Sequence, residues 1–285
     1  MQKLHLTAWQ ARVLWPKQSQ IEQDLRLSRG VAAIFNDAVL GDHLAMRGGT
    51  VLHKAHLAPA TRYSEDIDLV LIKPMKTSTL EGHLIRVLAP ILGKPSPSII
   101  ADAWLALRNV IKPSKILRIP FKFIPIGLSL QETIKVEVNL NELEAMYPLV
   151  MVNFQAMDED GNVVTARACS YDINEMMGTK TRALMQRKQG RDLYDLWYAW
   201  DLSQKGMTPY VVDGKKAMVA FEWYLKNEEA EIGRAEAEQL LSIRLKDQTF
   251  RRDMETLLRP DLGKFDVDAA ANVVREEYFI HLTAP

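Results

Sequence analysis

The sequence predicts an α+β fold, a mixed sheet with flanking helices followed by a C-terminal helical part. Three observations lead there. Ile134–Leu140 alternates apolar and polar residues without a break, the pattern of a strand with one wet face. Ile21, Leu25, Leu27, Val31, Ala32, Ile34 and Phe35 recur at roughly helical spacing. Beyond the turn-rich stretch Asp158–Asn162 the pattern becomes helical and stays so.

Taken in order, a helix over Gln18–Val39 leads into a first strand, Leu44–Met46. Gly48 and Gly49 then permit a tight turn, and a helix over Val51–Leu57 stops before Pro59. A second strand runs from Asp66 through Ile72 and closes at Pro74. Ser78–Leu92 reads as a helix with Leu80, Leu84, Val87, Leu88 and Ile91 on one side. Between Ile99 and Leu140, prolines 113, 120 and 125 punctuate several strands, clearest at Ile116–Ile124 and Gln131–Leu140. Helices are expected over Asp172–Gln186, Gly190–Leu202, Pro209–Lys226, Glu229–Leu241 and Val267–Glu277. Residues 1–165 would then form one domain, and residues 166–285 a helical domain that completes a cleft. The Glu-, Ala- and Arg-rich run Asn227–Arg244 reads as a solvated helix face.

Composition sets the outer bounds. The chain has 285 residues, enough for two domains and a sizeable core, with 47% hydrophobic and 25% charged residues. Lys+Arg and Asp+Glu both number 36, so the formal charge is zero, whereas a nonspecific coater of nucleic acid is normally basic. Any RNA contact has to come from a local patch. The single cysteine, Cys169, rules out an intrachain disulfide and reads as a small core residue. With no signal-like or membrane-length apolar stretch, a cytoplasmic location and no membrane contact are expected. Six histidines show no metal-ligand spacing, and His53 and His56 read as partly exposed helix residues.

The chemistry is concentrated in four places. Side chains at i and i+2 leave a strand on the same face, so Asp66 and Asp68 point together while Ile67 and Leu69 enter the core. Adjacent carboxylates repel unless a cation sits between them, and Mg²⁺ is the leading candidate because it shares its shell with substrate phosphates. Gly48 and Gly49 allow close approach of backbone to a triphosphate, followed by a helix start. Alone, an Asp-x-Asp or a Gly-Gly is commonly a loop or a turn; in this order the pair points to chemistry. On Ile134–Leu140, Lys135, Glu137 and Asn139 share a face. If that strand neighbours the aspartates, Glu137 completes a carboxylate triad able to hold two metals, although a wet sheet face has the same pattern. Finally, helical spacing brings Lys180, Leu184, Arg187 and Arg191 to one side, with Asp192 and Asp195 three apart. A cationic stripe of this kind suits a triphosphate, and a surface helix laced with ion pairs would look alike.

Gly48-Gly49-Thr50, Arg62-Tyr63-Ser64-Glu65-Asp66-Ile67-Asp68-Leu69, Lys135-Val136-Glu137 and Lys180…Arg187…Gly190-Arg191-Asp192-Leu193-Tyr194-Asp195-Leu196 resemble the four signatures of the AbiEii/AbiGii-type toxin nucleotidyltransferases, a group that includes the MenT-type toxins. The resemblance spans about Ala45 to Trp200. It implies a polymerase-β-like nucleotidyltransferase domain joined to a helical domain, encoded beside a cognate antitoxin in toxin–antitoxin or phage-defence systems. Some such members extend tRNA 3′ ends from an NTP and so block charging. Carried over by position, Asp66 and Asp68 are the Mg²⁺ or Mn²⁺ carboxylates; Glu137 stays a metal candidate on the strand argument above. Lys180 is the phosphate-binding lysine, Asp192 a second catalytic acid or base, and Asp195 its support. Gly48, Gly49, Thr50, Ser64, Lys180, Arg187 and Arg191 hold the nucleotide. A phosphate on Ser64, two residues before Asp66 on the same strand face, would compete for the ion. The chain departs from the common pattern at Arg47, where many relatives have Lys, and at Val51-Leu52-His53, which leaves nucleotide preference open. Competing readings are a catalytically silent nucleotide- or antitoxin-binding module, transfer to a protein or small molecule, and a metal phosphodiesterase. Clustered anions argue against the first, and missing metal-ligand histidines against the last.

Overall fold

The computed structural model describes residues 5–103 and 114–283. Residues 104–113, part of the region read as strands between Ile99 and Leu140, lie outside the described residues. At the centre is an eight-stranded sheet: β1 (Leu44–Met46), β2 (Asp66–Leu71), β3 (Lys94–Pro95), β4 (Ile99–Ala103), β5 (Ser114–Phe123), β6 (Glu132–Asn139), β7 (Val150–Met157) and β8 (Val163–Ser170). The order is β3-β5-β6-β2-β1-β8-β7, with β4 also pairing β5. Parallel pairs β2/β6 and β1/β8 among antiparallel neighbours make it a mixed sheet.

One face is covered by α2 (Gln18–Asn36) and α5 (Thr77–Leu92), preceded by α1 (Leu6–Val13). Leu27, Val31 and Ile34 of α2, Leu84, Leu88 and Leu92 of α5, and Ile67 and Leu69 of β2 are buried in one cluster. Each such side chain contributes about 1.5–3 kcal/mol on burial. Gly30 lets the layers meet, since a Cβ there would lie 3.1 Å from Leu92 Cδ2.

The predicted first helix ends earlier than its periodicity suggests. Asp37 adopts extended backbone and its carboxylate accepts from Val39 and Leu40 N–H, capping a separate α3 (Ala38–His43). After Gly48, α4 is a short turn, Gly49–Val51, that widens into a π-helical turn over Leu52–His56. The β7–β8 hairpin is absent from the sequence reading, although its alternating burial is that of an ordinary antiparallel pair. Residue 165 lies inside β8, and the change from strand to helix comes at Tyr171–Asp172.

The C-terminal helices are α6 (Ile173–Gln186), α7 (Gly190–Gln204), α8 (Gly214–Asn227), α9 (Arg234–Leu245), α10 (Gln248–Arg252) and α11 (Val267–Glu277). Two start later than expected: Asp213 caps α8 through Lys216 N–H, leaving Pro209 in the preceding loop, and α9 starts at Arg234 rather than Glu229. Their core is continuous with that of the sheet through Tyr171, Met176, Leu184 and Phe221. On α9, Arg244 is buried rather than solvated, donating to the carbonyl oxygens of Leu184 and Met185 at the end of α6. Cys169 is partly buried and free.

His53 and His56 are fully buried, contrary to the partly exposed reading. The π-helical turn carries both into the space between the sheet and the C-terminal helices. Burial lowers both to about 4, so each is neutral near pH 7. His56 Nε2 lies 3.0 Å from the Ser170 hydroxyl, while its Nδ1 has no partner among the described residues.

Three predictions follow from this packing. A Cβ on Gly178 would sit 2.8 Å from Ala217 O and Phe221 N, backbone atoms of α8. Gly178→Ala should therefore push α6 from α8 and cost about 1–3 kcal/mol. Gly82→Ala, exposed in α5 with nothing within 4 Å, should stabilise by about 0.5–1 kcal/mol. Urea midpoints at constant slope distinguish the two; a neutral Gly178→Ala contradicts the close approach. Below the ordinary imidazole value of 6.5 the unfolded chain takes up protons that folded His56 refuses until about pH 4. Stability should fall as pH drops through that window, and His56→Gln should flatten the fall by up to about 3 kcal/mol. Parallel stability–pH curves for variant and wild type would contradict a neutral His56.

Candidate active site

The site forms where the exposed end of β2 faces α6. The register pairs Asp66 with Lys135 and Asp68 with Glu137 across β2/β6, and Glu137 with Arg118 across β6/β5. Asp66, Asp68 and Glu137 thus share one sheet face, as strand alternation requires. Asp66 is raised to about 7 by partial burial and by Asp68, against Lys135, whose Nζ is 4.0 Å away. Asp68 is raised by burial and by Glu137, against Lys180, Arg187 and Arg47. Glu137 is drawn instead to Arg118, with Nε 2.6 Å from Oε1. Among the described residues no three His, Cys, Asp or Glu side chains form a ready cage for a metal ion. Two adjacent carboxylates nonetheless suit Mg²⁺, which commonly takes one or two from the protein and the rest from water and substrate phosphates.

The glycine pair is fixed by these neighbours. Gly48 has φ +88, and a Cβ there would fall 2.2 Å from Asp68 Oδ2. A Cβ on Gly49 would fall 2.4 Å from an Arg62 guanidinium nitrogen. Both line the cleft, but Thr50 is fully buried. Its hydroxyl lies 2.6 Å from Asp66 O and 2.8 Å from the Ser64 hydroxyl, tying the glycine turn to the start of β2. Ser64 precedes the strand rather than sharing its face, and lines the cleft from the loop.

Opposite the sheet, α6 ends at Gln186 and Arg187 turns into extended backbone before α7, so the cationic stripe bends across a helix break. Lys180 Nζ is 2.7 Å from Asp195 Oδ2 and 3.4 Å from Asp192 Oδ1. Arg187, half-exposed, grips both Asp192 oxygens at 2.7 and 2.8 Å. Arg191 pairs with Asp253 at 3.2 Å. Asp192 and Asp195 are fully buried behind the wall, and every contact the structure gives their carboxylates is to a side chain of this network. Asp195 also receives Arg62 at 2.6 and 2.7 Å and His53 Nε2–H at 2.8 Å. Since an ionised carboxylate only accepts, neutral His53 carries its proton on Nε2, leaving Nδ1 facing the Thr61 hydroxyl at 3.5 Å, and Tyr194 donates to that hydroxyl. Burial opposes the Asp195 charge, but Arg62 and Lys180 hold it well below the usual carboxylate range. Arg187 and Lys180 likewise outweigh burial at Asp192.

The cleft enclosed this way has a volume of about 500 Å³ and is lined by seven cationic side chains and four carboxylates. Every one of the seven is ion-paired. Sequence reasoning missed four of them as site residues. Arg62 and Arg118 sat in or beside recognised segments, and a partner for the buried aspartates was the signal for the first. Arg47 and Arg182 meet at Glu142, which both cations hold at about 2 against the pull of burial. That carboxylate is delivered by the β6–β7 loop, where no pattern pointed.

The chain can be placed among known proteins on this basis. No curated protein matches it. Its fold is shared with MenT4, a nucleotidyltransferase toxin of Mycobacterium tuberculosis, at 13% identity over 96% of this chain and 88% of that one, with a TM-score of 0.58. JHP933 of Helicobacter pylori is similar at 14% identity over 93% of each chain, with a TM-score of 0.50. The family model for the nucleotidyl transferase AbiEii toxin of type IV toxin–antitoxin systems matches residues 30–273, which include both walls of the cleft. The chain belongs to this AbiEii nucleotidyltransferase toxin family.

Proposed function

We propose that this nucleotidyltransferase moves a nucleoside monophosphate from an NTP to the 3′ end of a tRNA, with Mg²⁺ or Mn²⁺ held by Asp66 and Asp68, and thereby blocks translation. The observation that carries this reading is the pair of partly buried carboxylates on one strand face, opposite a wall of cations. The acceptor hydroxyl gives up its proton to solvent as its oxygen bonds to the α-phosphorus and the bond to the β-phosphate oxygen breaks, and pyrophosphate leaves. When bound, the ion neutralises the triphosphate and favours ionisation of the attacking hydroxyl.

The chain's own residues do the rest. Gly48 and Gly49 open the backbone beside Asp68. Lys180, Arg187 and Arg191 face the triphosphate and balance charge developing on pyrophosphate. Asp192 and Asp195 act as positioning residues, fixing Lys180, Arg187 and Arg62 from behind. Glu137 would have to leave Arg118 to help hold the ion, and Ser64 holds the loop that enters β2. An NTP, a tRNA and a cognate antitoxin are the partners this reading implies. No helix among the described residues is long and apolar enough to cross a membrane.

The test is incubation of the purified protein with Mg²⁺, total tRNA and each labelled NTP in turn. Label should enter RNA with at least one NTP and vanish with Asp66→Asn or Asp68→Asn. Label in folded Asp66→Asn at the wild-type rate would overturn the metal assignment, and no label with any NTP would overturn the acceptor.

Three further outcomes are expected. A carboxyl raised to about 7 disfavours folding increasingly as pH rises from the ordinary carboxylate range through 7. Without metal, Asp66→Asn should be more stable than wild type at pH 8 by about 1 kcal/mol after solvent screening, the gap closing by pH 4. The rise in Tm on adding Mg²⁺ should grow across pH 6–8 in wild type, because the ion displaces a proton, and be absent in the variant. Differential scanning calorimetry reads both; a pH-independent Mg²⁺ effect would contradict them. Arg187→Gln should raise the KM for NTP about tenfold or more while the chain stays folded, since its guanidinium is half-exposed. An unchanged KM would remove Arg187 from the triphosphate wall.

A further inference from the structure

The open face of the sheet beyond the carboxylates carries lysines that the chemistry above leaves unused. On β5 and β6, Leu117, Ile119, Phe121, Ile134, Val136 and Val138 are buried in the core. The residues between them, Arg118, Lys122 and Lys135, therefore stand on the side of Asp66 and Asp68. Lys122 and Lys135 are exposed, as is Lys94 of β3. The register orders them in rows. Asp68–Glu137–Arg118 comes first, then Asp66–Lys135–Pro120, and the next row is Thr133–Lys122–Lys94. With strands about 4.8 Å apart and same-face residues about 7 Å apart, Lys122 and Lys94 lie roughly 12–16 Å from Asp66.

Two features set this row apart from ordinary surface charge. Lys94 and Lys122 are directly opposed on neighbouring strands, an arrangement of like charges that costs stability. Neither has an ion-pair partner among the described residues, whereas each cation lining the cleft has one. Lysine on an edge strand also discourages sheet-to-sheet pairing. That explains Lys94 on β3, but Lys122 and Lys135 lie on strands paired on both sides.

We propose that Lys94, Lys122 and Lys135 form a phosphate track on the open face of β3, β5 and β6, holding the backbone of a nucleic-acid acceptor with its 3′ hydroxyl at Asp66. The proposal rests on the reading of Asp66 and Asp68 as the reaction centre. In an in-line transfer the attacking and leaving oxygens lie on opposite sides of phosphorus. With the triphosphate against α6, the acceptor enters from the sheet side, where the row begins. The chain as a whole is neutral, so an RNA partner needs such a patch.

The test is equilibrium binding of fluorescein-labelled tRNA by anisotropy over a KCl series, without NTP, for the wild type and for Lys94→Ala/Lys122→Ala. Losing two phosphate contacts should lower the slope of log affinity against log salt by about 2 and weaken binding at low salt about tenfold or more. The control, Lys205→Ala/Lys215→Ala, removes the same charge from exposed positions just after α7 and on α8, and should leave the slope unchanged. The Tm of Lys94→Ala/Lys122→Ala should equal or exceed that of wild type, since a repulsion is relieved. Unaltered binding by Lys94→Ala/Lys122→Ala, an equal loss in the control, or no tRNA binding by the wild type would each overturn the track. The Mg²⁺-dependent Tm shift given by NTP alone reports separately on Asp66 and Asp68, so failure of the track and failure of the reaction centre are distinguishable.

Discussion

The Asp195 carboxylate is the constraint on which the cleft depends. One buried anion receives Arg62 from the segment before β2, Lys180 from α6 and His53 from the turn after Gly49, and it sits on α7. Burying a carboxylate without partners is prohibitive, and removing one partner of such a group typically costs about 3–5 kcal/mol. The sheet and the C-terminal helices are therefore locked at one spacing and one angle where the cleft opens. Arg62 bears on the glycine turn as well, since it fills the space a Cβ on Gly49 would need.

A second consequence concerns charge. Asp195, Asp192, Glu137, Glu142, Glu228 and Asp253 pair with all seven cations lining the cleft. A wall of unpaired arginines would bind any polyanion. A wall already balanced attracts polyanions less strongly, and a metal ion arriving with a triphosphate would lower the negative charge such a wall has to offset. Arg187 remains half-exposed despite its grip on Asp192, and so can face such a ligand without breaking its own support.

Much of this was legible in the sequence, and the reasons are physical. Asp66 and Asp68 on one face follow from strand periodicity; that Glu137 lies beside them was only a condition in the sequence, and the structure supplies it by pairing Asp68 with Glu137 in register. The expected helices α5, α6, α7 and α11 appear with small shifts of their ends because each has a clear apolar stripe. Periodicity says nothing about burial depth when the backbone widens into a π-helical turn, which is why His53 and His56 looked half-exposed. Nor does it foresee pairing over long separations. Arg47, Glu142 and Arg182 come from a turn, a loop and a helix, and only the tertiary fold brings them together. Asp192 shows a related limit: a motif identifies an acid, while its burial behind Arg187 is settled by how α7 leaves the break at Gln189.

The central claim is that Asp66 and Asp68 form the metal end of a nucleotide cleft whose phosphate wall is α6. Anomalous diffraction from crystals grown with Mn²⁺ and a non-hydrolysable NTP analogue tests it most directly. The account predicts a manganese peak between the Asp66 and Asp68 carboxylates, with the triphosphate reaching toward Lys180 and Arg187. Manganese elsewhere, or a triphosphate that bypasses α6, would contradict it.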